Sequence, residues 1–193
     1  FTEHALNLSK GSMLVGSTGR IGVTMPMDNV RVGIVEAATL LGSSAAHGAH
    51  AAEAIMTSDT KPKQIAVEFK LGGKTVRIGG ICKGAGMIQP GMSATGRRPA
   101  AAPLHATMLC FLTTDAAIEA KALQIALTEA VANSFNRITV DGDMSTNDTV
   151  LILANGLAGN SKLKVQSSKF KVFQSALSHV CLELARMIVR DGE

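Results

Sequence analysis

Residues 65–81 leave the backbone very few options. Ile65, Val67, Phe69 and Leu71 alternate with Ala66, Glu68 and Lys70, the period of two that marks a strand with one buried face. Gly72 and Gly73 follow, and two consecutive glycines are suited to a primed two-residue turn, whose central residues take positive φ. Residues 76–81 then resume as the returning strand. A hairpin therefore sits in the middle of the chain. It delivers Lys83 and the loop Gly84-Ala85-Gly86-Met87-Ile88-Gln89-Pro90 to a strand end, where binding groups are commonly carried.

The hairpin's apolar face needs a cover, and the remaining sequence supplies helical patterns. Small and apolar residues recur at helical spacing over 30–41 and 48–56, separated by Gly42-Ser43-Ser44, which predicts two helices lying on the sheet. Thr113-Thr114-Asp115 reads as a helix cap before a helix over 116–135. A long amphipathic helix is expected over 171–190, with Val172, Phe173, Ala176, Val180, Leu184, Met187 and Ile188 on its apolar side. Further strands are predicted over 106–112, 137–140 and 149–154, the last two flanking the polar loop 141–148. Residues 93–105, rich in Ala and Pro, read as an exposed linker. Hairpin strands mixed with long helices point to an α+β fold in layers, not to a doubly wound parallel sheet.

Composition narrows the function classes. Of 193 residues, 46% are apolar and 18% charged, enough apolar surface to argue against disorder, while no uninterrupted apolar run reaches the length of a membrane span. The formal charge is only +4 and the basic residues are scattered apart from Arg97-Arg98, with no Trp or Tyr, so neither a nucleic-acid surface nor a membrane partner is indicated. Cys82, Cys110 and Cys181 lie far apart with no CxxC pair, as expected of buried thiols in a reducing compartment. The first residues, FTEHALNLSKGSM, lack an initiator Met and lack the basic start and apolar core of a signal peptide.

Taken one at a time, the motifs are modest. The loop from Gly16 to Gly22 fits neither GxGxxG nor GxxxxGK[ST]; it is a turn that can also present donors to an oxyanion at Thr18 and Gly19. The loop 141–148 lacks the Gly and Glu of a calcium-binding EF-hand and reads as a side-chain-braced turn. His47 and His50 have no evident third partner for zinc. Lys83 is either a solvated strand end or a carboxylate receptor, and Thr107 is either the start of a strand or a nucleophile.

The order of the strings GSTGRIG, AIMTSDTKPK, GGICKGAGMIQP, ATMLCFLTTDA, SFNRITVDGDMSTNDTV and ARMIVRDGE resembles the ornithine acetyltransferase family, also called glutamate N-acetyltransferase. The resemblance runs nearly end to end. It implies a layered α/β/β/α fold, residues 1–193 as part of a single acetyltransferase domain, and self-cleavage between Ala106 and Thr107. Residues 1–106 would then end an N-terminal chain and 107–193 begin a C-terminal one, with likeness to an α2β2 assembly. It also implies acetyl transfer from N-acetylornithine to glutamate through an acyl-Thr107 intermediate. Thr18 and Gly19 match the oxyanion hole, and Thr57, Lys83 and Glu193 match substrate-binding positions together with Thr107. No metal or cofactor is implied, although some members accept acetyl-CoA as donor. The family's relatives occupy the bacterial cytoplasm, mitochondria or plastids, so a cytoplasmic enzyme is expected, or an organellar one in a eukaryote.

Two departures stand out. Family members run from Met directly into Ala-Thr-Met-Leu, whereas residues 93–105 here separate Met92 from Ala106; this also creates Ala94-Thr95, which lacks the strand and TTDA string that follow Thr107. Family members also extend beyond both ends of this sequence, which therefore reads as the middle of a longer protein. Two other readings share the residues: a Thr-nucleophile amidohydrolase or aminopeptidase of related fold, with water as acceptor, and an uncleaved, inactive scaffold.

Overall fold

The computed structural model describes residues 1–19, 22–92 and 108–192. Three helices come first, α1 (Thr2–Ala5), α2 (Met27–Thr39) and α3 (Ala45–Ala54). The hairpin follows as β1 (Lys63–Leu71) and β2 (Lys74–Lys83), then β3 (Leu109–Thr114), α4 (Ala120–Ala132), a 3-10 turn (Phe135–Arg137), β4 (Thr149–Ala154) and α5 (Ser168–Arg190). The class is α+β, as the hairpin and long helices predict.

The four strands form one mixed sheet in the order β1-β2-β3-β4. β1 and β2 pair antiparallel from Leu71↔Lys74 to Lys63↔Cys82, closed by Gly72 and Gly73 at φ +60° and +82°, values that residues with a Cβ rarely adopt. β3 runs antiparallel to β2, and β4 runs parallel to β3. Two parallel neighbours need a crossover, and α4 provides it.

Strand parity determines where the core lies. Val76, Ile78, Cys82, Cys110 and Leu112 are buried on the face covered by α4 and α5, with Ile65, Val67, Phe69, Val150 and Ile152 packed around them. α5 meets that face with Phe170, Phe173, Leu177, Val180, Cys181, Leu184, Ala185 and Ile188, one continuous stripe at helical spacing. It is long and apolar enough to cross a membrane by those measures alone, yet its stripe is packed on the sheet. At the centre of the contact, a Cβ on Gly80 would stand 2.5 Å from Leu112 Cδ2 and 2.9 Å from Leu184 Cδ1, so the missing side chain sets how closely α5 approaches. The opposite face carries Lys83, Leu109 and Phe111, and the segment around Gly16 lies against it, 3.1 Å from Phe111 by the same measure.

Several expected boundaries move. Thr113 and Thr114 remain in β3, because Thr114 Oγ1 donates to the Arg77 carbonyl (2.7 Å); α4 starts only at Ala120, with Glu119 before it and no side-chain cap. Ile118 instead bridges to Leu163. Residues 137–140 are not a strand: a 3-10 turn occupies Phe135–Arg137, and Val140 makes a single backbone bond to Ile88 (2.8 Å). Of the two early helices expected on the sheet, α3 buries Ala52, but α2 buries nothing and leaves Val32 and Val35 more than half exposed. Val172, expected on the apolar side of α5, is 45% exposed. The expected linker 93–105 and the first residues of the strand expected at 106 lie outside the described residues.

Candidate active site

Three segments far apart in sequence approach one end of the sheet. The first is the strand end of β2. Lys83 is 3% exposed and donates from Nζ to Thr57 Oγ1 (2.7 Å), so two of the residues singled out from the sequence are in direct contact. Burial pushes the Lys83 ammonium below the usual lysine range, an effect opposed by the negative charge of Asp59 and reinforced by Lys63.

The second is the loop after Lys83. Gly84 N donates to Asp59 Oδ1 (2.6 Å), and Asp59 Oδ2 accepts from Thr57 N (3.1 Å), so one carboxylate holds both the Thr57 turn and the Lys83 loop. Further on, Met87 stands at φ +61°, unusual for a residue with a side chain. Asp141 braces it by accepting from Met87 N, from Ile88 N (2.9 Å) and from Asp143 N (3.1 Å). Burial is the largest single influence on the Asp141 carboxyl and raises it, but the backbone amides together outweigh it and hold the group below the ordinary carboxylate range. The polar loop 141–148 is thus a side-chain-braced turn that also reaches across to β2's loop.

The third is the approach to β3. Asn136 grips Met92 twice, accepting from its amide at Oδ1 (3.0 Å) and donating from Nδ2 to its carbonyl (2.8 Å). On the other side of residues 93–107, Met108 is fully buried and its amide donates to Asp148 Oδ1 (2.8 Å), while its carbonyl accepts from Thr149 N (2.9 Å). Both flanks are therefore held by the segment between α4 and β4. The neighbouring Asn147 donates from Nδ2 to the Ser17 carbonyl (3.2 Å), bringing the Thr18-Gly19 turn to the same place. Thr18 is half-buried, and Gly19 is exposed with open space where a Cβ would stand. Asp148 also acts electrostatically on Lys83.

Thr107, Ala106 and Glu193 lie outside the described residues. The structure thus unites Thr57 with Lys83 and brings Thr18 and Gly19 alongside through Asn147. Asp59, Lys63, Asn136 and Asp191 were not singled out from the sequence, and Asp141, Asn147 and Asp148 were read only as parts of a braced turn. Their only local mark is a polar residue beside a turn, which surface loops share. Among the described residues no three His, Cys, Asp or Glu side chains are grouped to hold a metal ion. Cys82, Cys110 and Cys181 are buried and unpaired; burial pushes the Cys82 and Cys181 thiols up to about 12, which leaves them poor nucleophiles. An open groove of about 650 Å³ between β1 and α5, lined by Val67, Phe69, Val172, Ala176 and His179, contains none of the candidate residues.

The profile of the ArgJ family matches residues 1–193. The chain is 53% identical over 189 residues to an "Arginine biosynthesis bifunctional protein ArgJ" of Symbiobacterium thermophilum, covering 98% of this chain and 43% of that protein. It is 50% identical to a "Glutamate N-acetyltransferase" of Methanocaldococcus jannaschii, over 97% of this chain and 42% of that protein. The crystal structure of an arginine biosynthesis bifunctional protein ArgJ from Bacillus halodurans aligns at 48% identity and TM-score 0.40, covering 42% of this chain and 38% of that one. The chain therefore spans somewhat over two-fifths of the length of these curated relatives.

Proposed function

The chain belongs to the ArgJ family, and from that premise we propose that its protein transfers an acetyl group from N-acetylornithine to glutamate through Thr107, in arginine biosynthesis. The observation that carries the reading is the Asn147-Asp148 pair. It touches the Ser17 carbonyl and the Met108 amide, so the turn with Thr18 and Gly19 and the residue after Thr107 share one support, and the charge of Asp148 acts on the substrate lysine Lys83.

In maturation, Thr107 Oγ attacks the Ala106 carbonyl carbon to form a C–O bond; the C–N bond then breaks, and the proton given up by the hydroxyl passes to the departing nitrogen, which becomes the α-amine of Thr107. Water then hydrolyses the ester, leaving Ala106 as a carboxylate. The new amine has a reference pKa of about 8, low enough for a neutral fraction to take the proton of the adjacent hydroxyl near pH 7. Thr107 Oγ next attacks the acetyl carbonyl of N-acetylornithine. Thr18 and Gly19 donate to the oxyanion, ornithine leaves, and the glutamate amine takes the acetyl group from the ester. Lys83 and Thr57 hold a substrate carboxylate, and Glu193 its amino group. Residues 1–106 would end one chain of the mature protein and 107–193 begin the other, in an α2β2 assembly in the cytoplasm, with acetyl-CoA as an alternative donor.

Intact mass of the wild-type protein beside Thr107→Ala tests the first half. Fragments meeting at the Ala106–Thr107 bond in the wild type and one uncut chain in the variant are expected; an uncut wild type, or cutting that persists in the variant, refutes the nucleophile. Glutamate-dependent loss of N-acetylornithine tests the second half, and release of acetate without glutamate would point to a hydrolase instead.

A further inference from the structure

Lys63 lies at the start of β1 on the core face, 1% exposed, where the strand's pattern calls for an apolar residue. Its Nζ stands 2.6 Å from Asp59 Oδ1 and 2.5 Å from Asp191 Oδ2, and both aspartate side chains are almost wholly buried. Asp191 also accepts from Thr60 N (3.0 Å) and from Thr60 Oγ1. No buried side-chain polar atom among the described residues is left unbonded. A charge triad this dry is expensive to assemble, and apolar residues in place of all three of its members would serve the core equally well. What the triad touches is informative: Asp59 holds Gly84 N and Thr57 N, one residue from Lys83, and Asp191 caps the end of α5. Among the described residues Lys83 itself has no ion-pair partner within 4.0 Å, although the Asp59 carboxylate that anchors its loop is close by.

We propose that Lys63 is a positioning residue for substrate binding: by bridging Asp59 and Asp191 it ties the Lys83 loop to the end of α5 and occupies the charge of Asp59, leaving the Lys83 ammonium available to a substrate carboxylate. Without Lys63, the Asp59 carboxylate, whose charge already acts on Lys83, loses its ion-pair partner and competes for the Lys83 ammonium. The kinetic part of this proposal rests on the acetyl-transfer reading; the electrostatic part does not.

Among the described residues, Asp59, Lys63 and Asp148 are charged groups that act on Lys83. Each substitution therefore has a signed consequence for its titration, which can be followed by NMR of lysine labelled at Cε in the full-length protein. Lys63→Met removes a repelling charge and frees Asp59, so the Lys83 midpoint rises; Asp59→Asn removes an attracting charge, so it falls. Both variants are expected to raise KM for the carboxylate-bearing substrates about tenfold while kcat changes by less than about threefold, the pattern of lost ground-state binding. Lys63→Arg, which retains the charge, should restore much of the loss. If Lys63→Met does not fold, Asp59→Asn decides through the same two readouts. A folded variant whose Lys83 titration and KM match the wild type overturns the proposal. Should the wild-type protein transfer no acetyl group, the acetyl-transfer reading fails, and the opposed shifts of Lys83 still judge the role of Lys63.

Discussion

At the scale of single residues, the charges near β2 have the largest predicted consequences. Burial alone would raise the Asp191 carboxyl, but the bonds from Lys63 and Thr60 overcome it and hold the group at about 2. A carboxyl depressed on folding contributes stability that is fully present above its unfolded value near 4 and is lost as pH falls through about 2. Acid unfolding between about pH 4 and 2 should accordingly become shallower in Asp191→Asn, measured by circular dichroism across that range. Lys63→Met leaves two buried carboxylates facing each other and is expected to cost about 3–5 kcal/mol in urea denaturation. Removing all three charges together, as Lys63→Met/Asp59→Asn/Asp191→Asn, should recover most of that loss, because what costs free energy is the uncompensated charge. Asp141 is exposed yet accepts three backbone amides beside a residue at positive φ; Asp141→Ala should cost about 1–3 kcal/mol, read in the same titration.

At the scale of elements, the contact between α5 and the sheet is decided at Gly80. A methyl group there meets Leu112 and Leu184 at distances shorter than atoms tolerate, and both are buried branched side chains with little room to turn away. Gly80→Ala is expected to lower stability by about 1–3 kcal/mol, with a matching fall in melting temperature. An unchanged melt would mean that α5 can ride further from the strands. The sequence showed α5 clearly, because a stripe repeated over 23 residues averages out local exceptions such as Val172. It showed α4 less well. Thr113-Thr114-Asp115 has the residue types of a helix cap, but the same hydroxyls and carboxylate serve β2 across the ladder, where Asp115 Oδ1 accepts from Arg77 N (2.7 Å). Local propensity could not choose between the two uses, since the deciding partner lies 38 residues away.

At the scale of the whole molecule, the departure from the family pattern is residues 93–105, and the structure shows what stands on either side of them. Met92 is held by Asn136 and Met108 by Asp148, so each flank has a hydrogen-bonded anchor of its own. Ordering a longer loop costs entropy that grows only slowly with length, so the insertion is compatible with the flanks as they stand. On the proposed cleavage at Thr107, deleting 93–105 to join Met92 to Ala106 is expected to leave cutting intact or faster, followed as the fraction of cut chain over time. A deletion that abolishes cleavage in a folded protein would show that the inserted residues take part in presenting the bond.

The sequence by itself determined the hairpin, the long helix, the α+β class and, through the order of its motifs, the family. Each of these depends on a pattern of near neighbours or on strings read whole. It also singled out Thr57 and Lys83, which the fold brings to 2.7 Å from each other. Only the tertiary structure decided that Lys63 is buried between Asp59 and Asp191, that Asn147 and Asp148 join the Thr18 turn to the entry of β3, and that α2 leaves Val32 and Val35 uncovered. A charged residue's burial is decided by partners that the chain supplies from far away, here 128 residues in the case of Lys63 and Asp191, and no local period carries that information.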